Sequence, residues 1–429
     1  MHELSQMIKD DMKPALGVTE PGAIAFAVAK ARSFTKGDIK KVNVAMNSGM
    51  YKNAFTCGIP NSNEVGNVFA AALGVVAGNA DKGLESLADV TPEDNVKAQE
   101  MIDQGKVTVE LSGITSRIFI EATVETEEDK AIVTIRDSHT NITKITVNDK
   151  VELETEDEKK TEEDGGEEEA HSIHKYILQQ LYDYVTTVDI EEIRFINEAY
   201  KVNLELFHEG LENPRTTFAR QLLAINNGKE VSDDEQKTAS LMCNAAIEAR
   251  VIGLDKPAMS ITGSGAHGII ATMPLYAAYK VNGYTEEQLL RATALSYLVC
   301  MYIKEYSGRL SAFCGCAIAA GSGMACALVY LRGGTVEMMA HTLNNMASSI
   351  TGMICDGGNQ GCTMKGVAAV DAAYKSVEFA MNGIYISEVH GINGNTPEET
   401  MRNMGLIASP GMVGTEKTIV EIFEDKLKK

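Results

Sequence analysis

The sequence has no tryptophan, which excludes nothing, and only eight cysteines in 429 residues. Eight is too few for a disulfide scaffold in a chain of this length, and a reducing compartment would not keep one. Positive charge is scarce. Thirty-nine lysines and arginines against 60 aspartates and glutamates leave a formal net charge of −21 and a pI of about 4.9. That balance argues against nucleic acid or an anionic membrane as a partner. No hydrophobic run is long enough to span a bilayer, and the opening HELSQMIKDDMK is charged rather than leader-like, so a cytoplasmic location is expected.

What is present is an ordinary hydrophobic fraction, 44%, in a chain long enough for two or three domains and a large core. TEPGAIAFAVAKARS (19–33) reads as a helix, with Thr19 able to cap it, Glu20 at the positive end of its dipole and Pro21 in the first turn. Residues 65–79 and 93–103 are further helices. From about 107 the period changes to two. KVTVEL, RIFIEATVET, KAIVTIRDS and NITKITVND alternate apolar with polar and predict four antiparallel strands with one buried face. Residues 152–170 carry eleven acidic side chains and two lysines with no period, and read as a solvated linker. Beyond 171 apolar residues recur at helical spacing to the end, and the methionine stripes there read as core.

Three segments carry chemistry. Gly263–Gly268, in SITGSGAHGIIATMP, matches G-x-G-x-x-G. Pro274 interrupts the helix that a dinucleotide site would need, so a backbone nest for a carboxylate or phosphate is the preferred reading. Ser264 and Gly265 would contribute to that nest, and His267 is a candidate acid or base. A plain turn with a hydrogen-bonded histidine is the structural alternative. In YIKEYSGRLSAFCGCAIAAGSG (302–323), Lys304 and Arg309 precede Cys314 and Cys316, and small residues predict a tightly packed helix after them. MICDGGNQGC (353–362) adds Cys355 and Cys362 in a glycine-rich loop. The C-x-C followed by C-x6-C lacks the short pairs of a structural zinc site. An iron–sulfur cluster, zinc and buried unligated thiols all stay open on spacing alone. Cys243, Cys300 and Cys326 lie on apolar helical stretches and read as packing; Cys57, in a loop, is less determined.

Five segments together, GVTEPGAIAFAVAKA (17–31), SGMYKNAFTCGIP (48–60), SITGSGAHGI (260–269), SGRLSAFCGCAIAAG (307–321) and MICDGGNQGC (353–362), make the chain resemble the L-cysteine desulfidase family, relatives of the iron–sulfur L-serine dehydratases. The resemblance implies a [4Fe-4S] cluster held by three cysteines: Cys355, Cys362 and one of the C-x-C pair, with Cys316 preferred over Cys314. It implies β-elimination from a small amino acid to give pyruvate and ammonia, with sulfide or water leaving. The proton would go to His267, or alternatively to Lys304. The substrate carboxylate would be held by Ser264 and Gly265 with Asn53 and Lys52, or by Arg309. The family's N-terminal G-C-T-E-P motif has Val18 in place of its cysteine here.

The expected class is α+β, a mainly helical body with a small antiparallel four-stranded β lobe. Its parts are an N-terminal helical segment contributing to the active site (1–105), the β lobe (106–150), the acidic linker (151–170) and a helical cluster-binding domain (171–429). A homodimer is expected from the methionine and alanine stripes. The other readings are a hydro-lyase acting on a hydroxy amino acid or hydroxy acid, a non-catalytic metal or cluster sensor, and a metal-free anion-binding partner protein.

Overall fold

Strict alternation builds the sheet. Val42, Val44 and Met46 are fully buried and alternate with the more open Lys41, Asn43 and Ala45, the period of a half-buried strand. The computed structural model describes the chain apart from Ser116, residues 156–171, Arg309 and Lys429. Eight strands appear among the described residues: β1 (Lys13–Leu16), β2 (Ile39–Asn47), β3 (Val107–Gly113), β4 (Phe119–Thr126), β5 (Lys130–Arg136), β6 (Ile142–Val147), β7 (Lys150–Glu154) and β8 (Pro257–Ser260).

The expected four-stranded antiparallel lobe is corrected to a six-stranded mixed sheet of order β3-β2-β4-β5-β6-β7. Strands β4, β5 and β6 do pair antiparallel in sequence order. The difference lies at the ends. β2, from the segment expected to be helical, enters between β3 and β4 and runs parallel to β3. A strand with a fully buried face has its backbone groups satisfied on both sides in that central position. β7 takes residues 150–154, all but the first of them expected in the acidic linker, as an exposed, charged edge of the kind that discourages further pairing. Residues 156–170 of that linker lie outside the described residues.

The helix Thr19–Arg32 packs on β4, β5 and the helix Asn67–Val76, and nearly all of it is buried. Thr19 is not its cap. Val18 holds that position, and the Thr19 hydroxyl instead donates to the Gly263 carbonyl at 3.3 Å, tying the two halves of the chain. β1 pairs antiparallel with β8, Lys13 opposite Ser260, a second tie. One continuous core runs through both halves.

In the helical body, Glu235–Val251 packs on Gly265–Asn282 and Gly361–Met381, and Glu286–Ser307 packs on Gly321–Leu331. Met324, Met339, Met346, Met401 and Met404 are fully buried, as core. Pro274, expected to interrupt a helix, lies inside Gly265–Asn282. A proline there costs about 3 kcal/mol, and burial of almost the entire segment from Gly265 to Ala278 outweighs it. No helix among the described residues is long and apolar enough to cross a membrane.

Candidate active site

Two loops meet edge to edge. Phe313 and Ile354 form an antiparallel bridge, the Cys314 N–H donates to the Met353 carbonyl at 2.8 Å, and the Cys355 N–H donates to Ala312 at 2.7 Å. This pairing brings the C-x-C segment against the glycine-rich loop, although about forty residues separate them in the chain. Of the eight cysteines, five are buried; Cys316, Cys355 and Cys362 are the three that are half-buried. Cys314 is buried, and its hydrogen bond to Cys316 together with burial raises its thiol pKa well above the ordinary value. Cys316 opens a π-turn, Cys316–Ala320, that runs on into the helix Gly321–Leu331. Such turns recur at functional sites. The close packing expected there is present: a Cβ on Gly323 would lie 2.2 Å from the Ser296 carbonyl.

The N-terminal half forms the other wall. Gly357 has φ +102°, and a Cβ there would lie 2.5 Å from the Lys52 carbonyl oxygen. Gly358 donates its N–H to the Asn53 carbonyl at 3.0 Å and packs against Val18. Lys52 is fully buried, and its ammonium donates to the carbonyls of Ser311 (3.1 Å) and Cys355 (2.9 Å) and pairs with Glu416 (3.1 Å). Those bonds occupy its donors, so Lys52 braces both cysteine loops. Burial pushes its pKa down, but the Cys355 and Glu416 charges carry it above the usual lysine value. Asn53 donates to Glu20 at 2.8 Å and accepts from the Cys355 thiol at 3.7 Å.

Among the described residues no three or more His, Cys, Asp or Glu side chains gather closely enough for a single metal ion. A four-iron cluster is a wider guest, since each thiolate binds a different iron. The donor chemistry here fits it. Lys304 feels the charges of Cys316 and Cys355, Lys365 those of Cys362 and Cys355, and Lys52 that of Cys355. Three ammonium groups around three thiols favour a negatively charged guest. Burial, with the neighbouring thiols, pushes the Cys362 pKa up to about 12 when nothing is ligated, and metal binding would release that proton.

The glycine loop positions His267. Thr262 holds φ +51°, rare for a β-branched residue, and its neighbour Gly263 is also left-handed. Its hydroxyl donates to the Ile261 carbonyl at 2.7 Å, so it accepts from His267 Nδ1, with which it makes a short hydrogen bond. That network assigns the proton to Nδ1 and leaves the Nε2 lone pair free. A Cβ on Gly315 would lie 2.8 Å from His267 Nε2 and 3.1 Å from Lys304 Nζ. Both expected bases therefore flank the glycine between Cys314 and Cys316. Burial, then the Lys304 and Arg250 charges, push the His267 pKa well below 6.5. Burial also lowers Lys304 from 10.5.

Ser264 caps the helix Gly265–Asn282 without a side-chain bond to it, so its hydroxyl and the first helical N–H groups are available to an anion. Arg309 lies outside the described residues. Cys243, Cys300 and Cys326 are buried in the core, and Cys57 is fully buried and bonded to the Ala54 carbonyl at 3.4 Å. Sequence reasoning missed Glu416, His139 and the catalytic-side position of Gly315. Glu416 carries no local signal. His139 sits in the β5–β6 turn, where DSHTN reads only as turn chemistry, yet its Nε2 stands 3.8 Å from Glu20 Oε1.

Residues 81–421, more than three quarters of the chain, match the family described as serine dehydratase alpha chain. Similar curated proteins include a UPF0597 protein of Clostridium botulinum strain Hall, 40% identical with 98% of each chain covered. Others are UPF0597 proteins of Caldanaerobacter subterraneus subsp. tengcongensis, 37% identical over 99% of this chain and 98% of that one, and of Clostridium tetani, 33% identical over the same shares. With the two cysteine loops, His267 and Lys304 all inside the matched span, the chain belongs to the serine dehydratase alpha chain family.

Proposed function

We propose that the protein is an iron–sulfur-dependent lyase that eliminates the β-substituent of a small amino acid. The observation that carries this reading is the grouping of the three half-buried cysteines with three lysines and a neutral histidine. Cys316, Cys355 and Cys362 would hold a [4Fe-4S] cluster, whose iron without a protein thiolate supplies a Lewis acid for the departing group. His267 Nε2 takes the Cα proton, and the Thr262 hydroxyl keeps the opposite ring nitrogen protonated. Lys304, on the other side of Gly315, is the alternative base. Ser264 and the N–H groups from Gly265 onward receive the carboxylate. Lys52 and Asn53 hold the Cys355 loop in place.

Family membership supports hydroxide as the leaving group, with a hydroxy amino acid as substrate. Val18, an aliphatic side chain packed on Gly358 of the cysteine loop, supplies no thiol and points the same way. Sulfide loss from L-cysteine is the second reading, supported by the five segments shared with the L-cysteine desulfidase family.

The test is iron and acid-labile sulfide in protein purified without oxygen, followed by pyruvate and sulfide assays on L-serine and L-cysteine. About four irons and four sulfides per chain with pyruvate release are expected. Protein that stays iron-free after anaerobic reconstitution sinks the reading. A loaded protein with no product from any β-substituted amino or hydroxy acid leaves a cluster-bearing sensor.

A further inference from the structure

Arg250, at the end of the helix Glu235–Val251, is 4% exposed, and its Nε is buried without a hydrogen-bond partner. Its side chain makes no hydrogen bond or ion pair among the described residues. Guanidinium is always charged and presents a fork of donors that suits a carboxylate. Leaving it buried and unpaired is unfavourable, so an orphan of this kind needs an explanation.

The place it occupies supplies one. A Cβ on Gly265 would lie 2.7 Å from Arg250 Nε, so the glycine that opens the helix Gly265–Asn282 leaves room for the arginine beside the anion-binding amides. The Arg250 charge reaches His267, the proposed base, and Glu20. Glu20 is itself 6% exposed. Its Oε1 accepts from Asn53 at 2.8 Å, and its Oε2 has no hydrogen bond among the described residues. The two opposite charges are near enough to influence each other, yet no ion pair joins them. A cleft of about 470 Å³ is walled in part by His139, which faces Glu20, and by Gly263, which accepts from Thr19; Arg250 and Glu20 are not themselves part of that wall.

We propose that Arg250 and Glu20 form a zwitterion clamp, in which the guanidinium takes the α-carboxylate and the Glu20 carboxylate takes the α-ammonium of the substrate. The inference rests on the lyase reading for its substrate and narrows it to α-amino acids, against 2-hydroxy acids. The α-carboxylate gives the guanidinium the partner it lacks, and the α-ammonium meets Glu20 Oε2, since Asn53 and His139 both approach Oε1. A ligand lacking one of them leaves a buried charge uncompensated, which is a strong basis for rejection.

The experiment is calorimetric binding of L-serine, L-serinamide and glycerate to anaerobically purified protein, wild type and the variants Arg250→Gln and Glu20→Gln. Serinamide lacks the carboxylate and glycerate lacks the ammonium. Wild type should bind L-serine roughly 10- to 100-fold more tightly than either analogue. Arg250→Gln should erase the preference over serinamide, and Glu20→Gln the preference over glycerate. Equal binding of all three to wild type, or no binding of L-serine, overturns the clamp even where a variant fails to fold. Pyruvate assays on the same samples separate the two ideas. Serine binding with the expected preferences but no turnover retains the clamp and sinks the lyase, whereas turnover of glycerate at the rate of serine does the reverse.

Discussion

The Lys52 ammonium stands 3.1 Å from Glu416 Oε1, with both side chains essentially inaccessible to water. Ser48 bonds the other carboxylate oxygen at 2.5 Å. The pair joins the helix Ser48–Ala54 to the last helix, Val413–Leu427, directly behind the cysteine loops. Glu416→Ala leaves a buried ammonium uncompensated, and the expected loss is about 3–5 kcal/mol in urea unfolding. The double variant Lys52→Met with Glu416→Leu should recover most of that stability. It should not recover activity, because the bonds from Lys52 to Ser311 and Cys355 go with the lysine. The raised lysine pKa gives the linkage sign: the contribution is fully present below about pH 10.4 and fades only above it.

Gly315→Ala puts a methyl group against His267 Nε2 and Lys304 Nζ. Separating these groups from the reacting atoms should lower kcat by about 100-fold. The unfolding temperature should fall modestly, since the nearest obstruction, at 2.8 Å, is the buried His267 ring, and the lysine end lies at 3.1 Å. A variant with unchanged kcat would remove His267 and Lys304 from the chemistry.

Gly358→Ala tests the seam between the halves. Its Cβ would meet Val18 at 2.7 Å, a clash expected to cost about 1–3 kcal/mol and to displace the Cys355–Cys362 loop. Adding Val18→Ala removes the offending methyl groups and should restore both stability and iron content. Failure of the second substitution to rescue would show that the Asn53 carbonyl, 3.3 Å away, is the controlling contact.

His267 works as a base only when neutral, and burial holds its pKa well below 6.5. Activity should therefore persist as pH falls to 6.5 and be lost only at lower pH, as the imidazole protonates. In Lys304→Met the neighbouring positive charge is gone, so the acid limb of the residual kcat/KM profile should move upward. An unmoved limb assigns it to another group.

The half-buried set makes Cys316, rather than buried Cys314, the expected third ligand. Cys316→Ala, Cys355→Ala and Cys362→Ala should each lose iron and sulfide, while Cys314→Ala should retain them. Iron loss in Cys314→Ala alone of the pair reverses the assignment.

Local pattern carried a good deal of this molecule. Period-two alternation located β3 to β6 within a residue or two, and the apolar run from Thr19 to Arg32 formed the expected helix. Burial of Cys243, Cys300, Cys326, Met324, Met339, Met346, Met401 and Met404 followed from their apolar neighbours. β2 was missed: IKKVNVAMN alternates as its partners do, yet the sequence reading placed it in a helical segment. Its insertion between β3 and β4 was not legible, because pairing order depends on which buried faces compete for the same neighbours.

Residue types and their spacing were enough to define the chemistry available here: thiols in two loops, a glycine turn with a histidine, and no strong positive field for nucleic acid. Assembly of those parts depended on contacts between distant segments. Lys52 meets Glu416 across 364 positions, and Glu20 lies near Arg250 and His139 through three separate elements. A buried charge has no local signature, since its environment comes entirely from whatever else the chain packs around it.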